Sequence, residues 1–378
     1  MRKIYLSLLM LIFVIFLSSC TNKNHLLILN WGEYISDEAV ELFEETYNVQ
    51  VTISIADSNE LFYSKLKSGT TAYDLILPSD YMIEKMLNHN LLQKIDFSKL
   101  ENYSNDIYPK DLEQIISTMD EKTYDYFVPY FWGASGLMYN KLVPGLEDAI
   151  LEYGWKAYLE PEFRPKGTRV GMYDTPQYAF SAAMFYHNLD PNDPSDKNIE
   201  IAYNTLRKAD VQMWGDDQLK KAIAANNLDL AYVWTGDFID MLFIDLDDGI
   251  PRDEITYDFY IPDYTMAFVD AFVIPYNARH VDLAHLFIDF FLDPEIAYLN
   301  AEEVGYATPL EETFFEIINY EFPEDDYDED DEWLLDLKDA YLRYYVYDEN
   351  INAVVLKSIE QQVVSKLSLM INNVKTKK

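Results

Sequence analysis

Acidic residues stand beside aromatic residues at three places along the chain, each at or near the end of a predicted strand. The three groups are Trp31 with Glu33 and Tyr34, Trp234 with Asp237, and Phe268 with Asp270. A carboxylate binds a primary ammonium group through charge-assisted hydrogen bonds, and an aromatic ring both attracts a cation and covers an alkyl chain. This repeated combination predicts a site for a small organic cation, and diamines match it.

Asp270 is the strongest single candidate in this set. It interrupts an apolar run from Phe268 to Ile274, and a carboxylate at such a position is costly unless it meets a buried cation. Backbone donors or one of the few arginines would also satisfy it, and ordinary core packing would explain Trp31 or Trp234 taken alone. We expect Asp270 to bind a ligand because aspartate is rarely buried without a partner.

Motifs for catalysis or metal binding are not found in the sequence. The five histidines lack metal-ligand spacing, and there is no HExxH motif, Walker A loop or Rossmann glycine triplet. The segment Gly133-Ala134-Ser135-Gly136 is one residue short of a nucleophile elbow, so its serine is not supported as a catalyst. We therefore predict a binding protein rather than an enzyme, with no metal and no cofactor. Paired carboxylates of a glycoside hydrolase remain an alternative in so acidic a chain.

The composition restricts the class of partner. The chain has 66 acidic and 29 basic residues and a formal net charge of -37, which repels nucleic acids and attracts cations to a cleft with acidic walls. Surface solubility or a host-wide composition bias explains such acidity equally well. The length of 378 residues favours two domains, and the 31 tyrosines suit a site for a polar or cationic ligand.

The N-terminus has the pattern of an export signal. The basic start Met1-Arg2-Lys3 precedes an almost wholly apolar stretch over residues 4–17, which is too short to span a membrane. Leu17-Ser18-Ser19-Cys20 then resembles a bacterial lipobox, in which lipid is attached to the cysteine before cleavage. Cys20 is the only cysteine, so an intramolecular disulfide is not possible. We expect a lipid-anchored protein at the outer face of the cytoplasmic membrane or in the periplasm.

Strands and helices that alternate along the chain must position these side chains. The apolar runs predict strands over residues 26–29, 49–55, 73–77, 170–173, 228–233 and 266–275. Helical spacing predicts helices after the cap residue Ser36, around residues 60–67, over about 280–291 and in a tail from Leu356 to Val374 that docks on a domain. The acidic residues 325–331 predict a surface loop. The alternation indicates an α/β fold whose parallel strands carry ligands at their carboxyl ends.

At these segments the chain resembles the bacterial spermidine/putrescine-binding proteins of ABC-type importers, over about residues 26–310. The segments that carry the resemblance are Asn30-Trp31-Gly32-Glu33-Tyr34, Asp57-Ser58-Asn59-Glu60, Tyr73-Asp74-Leu75-Ile76-Leu77-Pro78-Ser79, Pro129-Tyr130-Phe131-Trp132-Gly133, Trp234-Thr235-Gly236-Asp237, Phe268-Val269-Asp270 and Gly305-Tyr306-Ala307-Thr308-Pro309. The resemblance implies an α/β fold of the type II periplasmic-binding-protein-like kind, in which two lobes close at a hinge around a ligand. The expected division is a signal over 1–20, a tether over 21–25, a first lobe over 26–133 plus 264–310, and a second lobe over 134–263 plus 311–378.

The same resemblance implies a set of ligand-binding residues. The first lobe would supply Trp31, Glu33, Tyr34 and Tyr81, the second Trp234 and Asp237, and the pocket would be completed by Phe268, Asp270 and Tyr306, with Thr175 and Tyr178 as weaker candidates. The pattern Trp-x-Gly-Asp at residues 234–237 is similar to the putrescine-preferring branch, in which that carboxylate holds an amine. Tyr178 stands where a glutamate is usual in the spermidine branch, which argues against a third ammonium site.

The implied function is capture of a polyamine outside the cytoplasm, with putrescine favoured over spermidine. The protein would act as a monomer, anchored to the membrane through lipid on Cys20, and would deliver its ligand to the membrane subunits of an ABC importer. Nucleic acid has no part in this interpretation. The alternatives are a binding protein for another small cationic solute, an exported hydrolase that uses a carboxylate pair, and an adhesive lipoprotein without a ligand.

Overall fold

The computed structural model describes residues 24–104, 106–216, 218–318 and 352–376. The predicted export signal with Cys20 and most of the predicted tether lie outside the described residues, as does the acidic segment 325–331. Among the helices that are described, none combines the length and the apolar character needed to cross a bilayer.

Twelve strands and fourteen α-helices are found in the described part of the chain. The strands are β1 Asn24–Asn30, β2 Val49–Ile55, β3 Leu75–Ile76, β4 Leu92–Gln93, β5 Val128–Asn140, β6 Val170–Tyr173, β7 Val211–Gly215, β8 Leu230–Trp234, β9 Tyr257–Tyr260, β10 Tyr264–Phe272, β11 Ile274–Pro275 and β12 Asn352–Val355. The helices are α1 Asp37–Tyr47, α2 Asn59–Ser68, α3 Asp80–Asn88, α4 Lys110–Ser117, α5 Leu146–Tyr153, α6 Trp155–Leu159, α7 Pro176–Tyr186, α8 Asp196–Leu206, α9 Gln218–Ala224, α10 Thr235–Asp247, α11 Val281–Phe291, α12 Pro294–Val304, α13 Glu311–Ile318 and α14 Gln361–Lys375.

The first sheet consists of three parallel strands in the order β2, β1, β3. The predicted strands of this region are confirmed, and helix α1 begins where Ser36 caps it, with the Ser36 hydroxyl accepting a hydrogen bond from the Ala39 N–H at 3.1 Å. Strand β3 is shorter than the predicted 73–77. Pairing with β1 nevertheless extends past both of its ends, because Asp74 and Leu77 donate their N–H groups to carbonyls of β1.

The second sheet is mixed and has the strand order β12, β10, β5, β8, β6, β7, with β9 also paired to β5. The thirteen-residue strand β5 runs without interruption through the segment 133–136. Its first half pairs with β10 and its second half with β8 and β9. Glycine is required at position 136 because a Cβ atom there would lie 2.5 Å from the ring of Phe259.

The two sheets are joined at the end of β10. Isolated bridges pair Ser79 with Asp270 and Ile76 with Val273, so the last residues of β10 run beside the end of β3. The carboxyl end of β3 and the last residues of β10 thereby come to one place in the molecule. Asp270 lies at this junction.

The C-terminal segment differs from the prediction in its boundaries. A single helix was expected from Leu356 to Val374, but the helix begins at Gln361, and residues 352–355 form β12, parallel to β10. The prediction was wrong for residues 356–360, which are not helical, because Leu356 is buried by tertiary packing and its spacing to Ile359 does not require a helix. The expected docking is confirmed, since the buried face of α14 packs against α7 and α8.

Helix α13 packs elsewhere. It lies against α12, and Phe314 contacts the ring of Trp132 with the centroids 5.5 Å apart. The two helices that follow residue 310 in the described chain thus contact different parts of the structure.

Candidate ligand-binding site

One cleft brings together every residue that the sequence proposed for ligand binding, including both weaker candidates. Its volume is about 190 Å³, room for a small molecule rather than a polymer. The predicted residues that line it are Trp31, Glu33, Tyr34, Tyr81, Thr175, Tyr178, Trp234, Asp237, Phe268, Asp270 and Tyr306.

Most of these side chains follow the carboxyl ends of parallel strands. The segment 31–34 follows β1, and Tyr81 lies in the first turn of α3, just beyond β3. In the second sheet, Thr175 and Tyr178 follow β6, and Trp234 ends β8 at the start of α10. Since β1 is parallel to β3 and β6 is parallel to β8, each pair of ends lies at one edge of its sheet, where ligands bind in α/β folds.

Tyr306 reaches the cleft by a different route. Helix α12 ends at Val304 and is capped by Gly305, whose φ of 75° lies in the left-handed region, and the chain turns there so that Tyr306 faces α10. A Cβ atom on Gly236 would lie 2.4 Å from the Tyr306 ring. Only glycine at position 236 therefore allows this ring to pack against the start of α10.

The aromatic side chains form a continuous wall by edge-to-face contacts. Trp234 is the centre of one part, with ring centroids 4.9 Å from Phe268 and 5.4 Å from Tyr178. Tyr306 contacts Tyr34 at 4.9 Å with an interplanar angle of 80°. These contacts hold the rings in place before any ligand arrives, which lowers the entropy that binding must remove.

Asp270 is buried in this wall, with 7% of its surface exposed. Its Oδ2 accepts a hydrogen bond from the Tyr34 hydroxyl at 2.7 Å, whereas its Oδ1 has no hydrogen-bond partner among the described residues. Burial raises the pKa of Asp270 to about 6, and the neighbouring hydroxyl groups of Ser79 and Tyr34 oppose that rise only in part. Asp270 is thus a buried carboxylate with one oxygen unused.

Asp80 is a second buried carboxylate in the cleft, which the sequence analysis did not select. It accepts hydrogen bonds from the N–H groups of Tyr81 at 2.5 Å and Val269 at 3.0 Å. Burial raises its pKa well above the ordinary value, and the nearby Asp270 adds to the effect. Its place directly after a predicted strand, between Ser79 and Tyr81, was a signal that could have identified it.

Asp237 lies in a different environment from Asp270, because four donors already surround it. Its Oδ1 accepts hydrogen bonds from Lys220 Nζ at 3.0 Å and from the Tyr306 hydroxyl at 3.1 Å. Its Oδ2 accepts from the Tyr173 hydroxyl at 3.2 Å and from the Trp234 N–H at 3.3 Å. A carboxylate has about four such positions, so Asp237 is saturated by the protein itself.

Lys220 is the partner that the sequence analysis missed. It lies on α9, is 9% exposed, and contacts Asp240 Oδ2 at 2.9 Å as well as Asp237. Burial alone would lower the pKa of Lys220, but the carboxylates of Asp237 and Asp240 outweigh it and raise the pKa above the ordinary lysine value. Lys220 is therefore a permanent cation at this end of the cleft.

The lining as a whole remains acidic. Eight acidic residues face only two basic ones, Lys220 and Lys221. The eight are Glu33, Asp57, Glu60, Asp80, Asp216, Asp237, Asp240 and Asp270. Within the described residues, no group of three or more histidine, cysteine, aspartate or glutamate side chains is arranged to hold a metal ion. The acidic lining therefore attracts cations by its charge.

The sequence matches one protein family and several characterised relatives. The sequence profile of bacterial extracellular solute-binding proteins matches residues 30–298. The spermidine/putrescine-binding periplasmic protein of Escherichia coli (strain K12) is 31% identical over 291 residues, which are 76% of this chain and 78% of that protein. The putrescine-binding periplasmic protein PotF of the same organism is 29% identical over 290 residues, 74% of this chain and 76% of PotF.

Solved structures agree with these sequence relatives. A putative spermidine/putrescine ABC transporter from Listeria monocytogenes superposes with a TM-score of 0.73 and 27% identity, over 94% of this chain and 100% of that one. The spermidine/putrescine ABC transporter substrate-binding protein PotD from Streptococcus pneumoniae gives a TM-score of 0.68 and 26% identity, over 93% of this chain and 99% of that one. The expected type II periplasmic-binding-protein-like α/β fold is confirmed by these neighbours.

Proposed function

The chain belongs to the family of bacterial extracellular solute-binding proteins, and we propose that it captures a polyamine outside the cytoplasm and delivers it to an ABC importer. It is a binding protein and not an enzyme. Relatives that are named for binding spermidine and putrescine support the class of ligand. Putrescine is the polyamine that we expect it to prefer.

The observation that carries this proposal is the unused Oδ1 of Asp270. A buried carboxylate with a free oxygen is unfavourable by several kcal/mol unless a cation completes it. A primary ammonium group supplies both the charge and the donors that this oxygen lacks. The aromatic wall around Asp270 would then cover the alkyl chain that follows the ammonium group.

The preference for putrescine rests on Tyr178. By the resemblance to the family, Tyr178 stands where a glutamate is usual in the spermidine branch, and it packs its ring edge against Trp234. A phenol at that place offers a third ammonium group no charge. Glu33 and Asp237 also line the cleft, and we propose that Glu33, Asp237 and Asp270 together hold the ammonium groups of the ligand, with Asp237 taking part once one of its present donors has moved.

Calorimetric titration of the chain without residues 1–20 tests the function. We expect saturable one-to-one heat with putrescine, and weaker binding of spermidine in a separate run. An affinity near micromolar would correspond to about 8 kcal/mol, which two charge-assisted ends and a buried alkyl chain can supply. Tighter binding of spermidine would show that the Tyr178 argument is wrong, and absence of heat with both polyamines would refute the polyamine proposal.

We propose further that ligand binding closes two lobes at a hinge. The first lobe would comprise residues 26–133 plus 264–310, and the second residues 134–263 plus 311–378. The uninterrupted strands β5 and β10, each of which contacts elements from both parts, support this division and would form the hinge. The importer would then bind the closed monomer.

Membrane attachment through Cys20 is the last element of the proposed function. The basic, apolar and lipobox-like segments in residues 1–20 support it. In bacteria that express the full-length chain, we expect the protein to sediment with membranes, and the Cys20→Ser variant to be released into the soluble exported fraction. Equal release of both proteins would contradict lipid anchoring and leave the polyamine site untouched.

A further inference from the structure

Lys220 occupies the place where a ligand amine was expected. Its ammonium group lies 3.0 Å from Asp237 Oδ1 and 2.9 Å from Asp240 Oδ2, inside the same cleft as Asp270. Asp237 and Asp240 are three residues apart on α10, so both carboxylates lie on one face of that helix and face Lys220 on α9. The protein thus carries its own primary ammonium group at one end of the cleft.

The two ends of the cleft therefore differ in what they offer a ligand. Asp270 has a free oxygen, whereas the four acceptor positions of Asp237 are filled by Lys220, Tyr306, Tyr173 and the Trp234 N–H. A second ligand amine cannot reach Asp237 unless one of these donors leaves. Lys220 is the donor that resembles the ligand and that has another carboxylate to bind.

We propose that Lys220 is a specificity-determining residue, a tethered competitor that a ligand with ammonium groups at both ends must displace from Asp237 toward Asp240. This inference rests on the proposed function, because it concerns how the second amine of a polyamine is received. Displacement moves a charged side chain and does not remove its charge, since two carboxylates hold Lys220 protonated. Asp240 can accept it because its side chain is 30% exposed and already in contact.

The competition has a measurable consequence for selectivity. A monoamine binds through Asp270 and leaves Lys220 in place, whereas a diamine gains a second ionic contact only after it breaks the one between Lys220 and Asp237. The advantage of a diamine over a monoamine of equal length is therefore reduced by Lys220. Removal of the lysine ammonium group should restore that advantage.

The test compares putrescine with butylamine, by calorimetry, in the wild type and in Lys220→Met. We expect the ratio of putrescine to butylamine affinity to rise about tenfold or more in Lys220→Met, because one charge-assisted hydrogen bond no longer has to be exchanged. Lys208→Met is the matched control. Lys208 is exposed and does not line the cleft, and its replacement removes the same charge. Its ratio should stay within about twofold of the wild type, because surface charges act on both amines alike.

A second variant keeps the proposal testable if Lys220→Met fails to fold. Asp240→Asn removes the alternative partner of Lys220 and leaves the lysine in place, so displacement becomes harder. We expect the putrescine to butylamine ratio to fall about threefold to tenfold in Asp240→Asn, opposite in sign to the change in Lys220→Met. Lys220→Arg should keep the low ratio of the wild type.

The outcomes separate this inference from the proposed function. An unchanged or lower ratio in Lys220→Met, while the wild type binds putrescine, would overturn the competitor role and leave polyamine capture standing. Putrescine binding by Lys220→Met alone would support the competitor role and contradict polyamine capture by the wild type. Absence of binding in every protein would overturn both.

Discussion

Replacement of Asp270 by asparagine is expected to weaken putrescine binding by roughly 10- to 100-fold, or about 1.5 to 3 kcal/mol. The change keeps the shape of the side chain and the acceptor for Tyr34, but it removes the charge that an ammonium group requires. Burial makes the loss large, because Asp270 is 7% exposed and water cannot screen or replace the interaction.

The same substitution should stabilise the ligand-free protein. The pKa of Asp270 is raised in the fold from 3.8 to about 6, so folding disfavours its charged form. The contribution of Asp270 to the free energy of unfolding is therefore most favourable below pH 3.8, where the residue is protonated in both states. This contribution is lost as the pH rises through about 6. At pH 7 the shift corresponds to about 3 kcal/mol at most, and asparagine should recover about 1 to 2 kcal/mol of the free energy of unfolding.

The two measurements are calorimetric titration with putrescine and chemical denaturation without ligand at pH 7. Asp253→Asn is the matched control. Asp253 is exposed and lies outside the cleft, and its replacement changes the net charge by the same amount. It should leave both the affinity and the free energy of unfolding almost unchanged. If Asp270→Asn binds putrescine like the wild type, the carboxylate is not the site of the ammonium group.

Much of the candidate site could be predicted because it depends on local sequence and on a general property of parallel sheets. Trp31 and Tyr81 follow short apolar strands whose neighbours are parallel, and the carboxyl ends of such strands must meet at one edge. Phe268 and Asp270 were recognisable because a charge inside an apolar run requires a reason. The Ser36 cap was predictable for the same local cause, since a serine before acidic residues fits the start of a helix.

The parts that could not be predicted depend on contacts between distant segments. Lys220 and Asp237 are 17 residues apart, in different helices, and nothing in the sequence around Lys220 distinguishes it from a surface lysine. Strand β12 escaped notice because its partner β10 is far away in the chain. In both cases tertiary pairing determines the role of a residue whose local pattern suggests something simpler.

The saturation of Asp237 changes how the predicted residues are interpreted. The sequence predicted both Asp237 and Asp270 as carboxylates that bind ligand amines, and both do line the cleft. Their surroundings differ, because Asp237 is paired with Lys220 whereas Asp270 keeps one oxygen free. Asp270 should therefore receive the first ammonium group, and the contribution of Asp237 depends on the position of Lys220.

The affinity for putrescine is expected to fall as the pH decreases through about 6. Free Asp270 takes up a proton below that pH, because burial raises its pKa to about 6, and an ammonium ligand binds the carboxylate form. The amines themselves stay protonated, since their pKa is near 10. Between pH 7.5 and pH 5 the dissociation constant should therefore rise about tenfold, as long as the bound ammonium group keeps Asp270 ionised.

Calorimetry over this pH range, in buffers of different ionisation enthalpy, measures both the affinity and the proton released on binding. In the wild type, binding at pH 5 should release nearly one proton, whereas in Asp270→Asn the release and most of the pH dependence should disappear. A residual slope in Asp270→Asn would show that another group of the cleft also takes up a proton, and the Asp80→Asn variant would test whether that group is Asp80, whose pKa is raised by burial. A proton and an ammonium group that bind the same carboxylate must compete with each other. A wild-type affinity that does not change between pH 7.5 and pH 5 would therefore mean that the ammonium group does not bind Asp270.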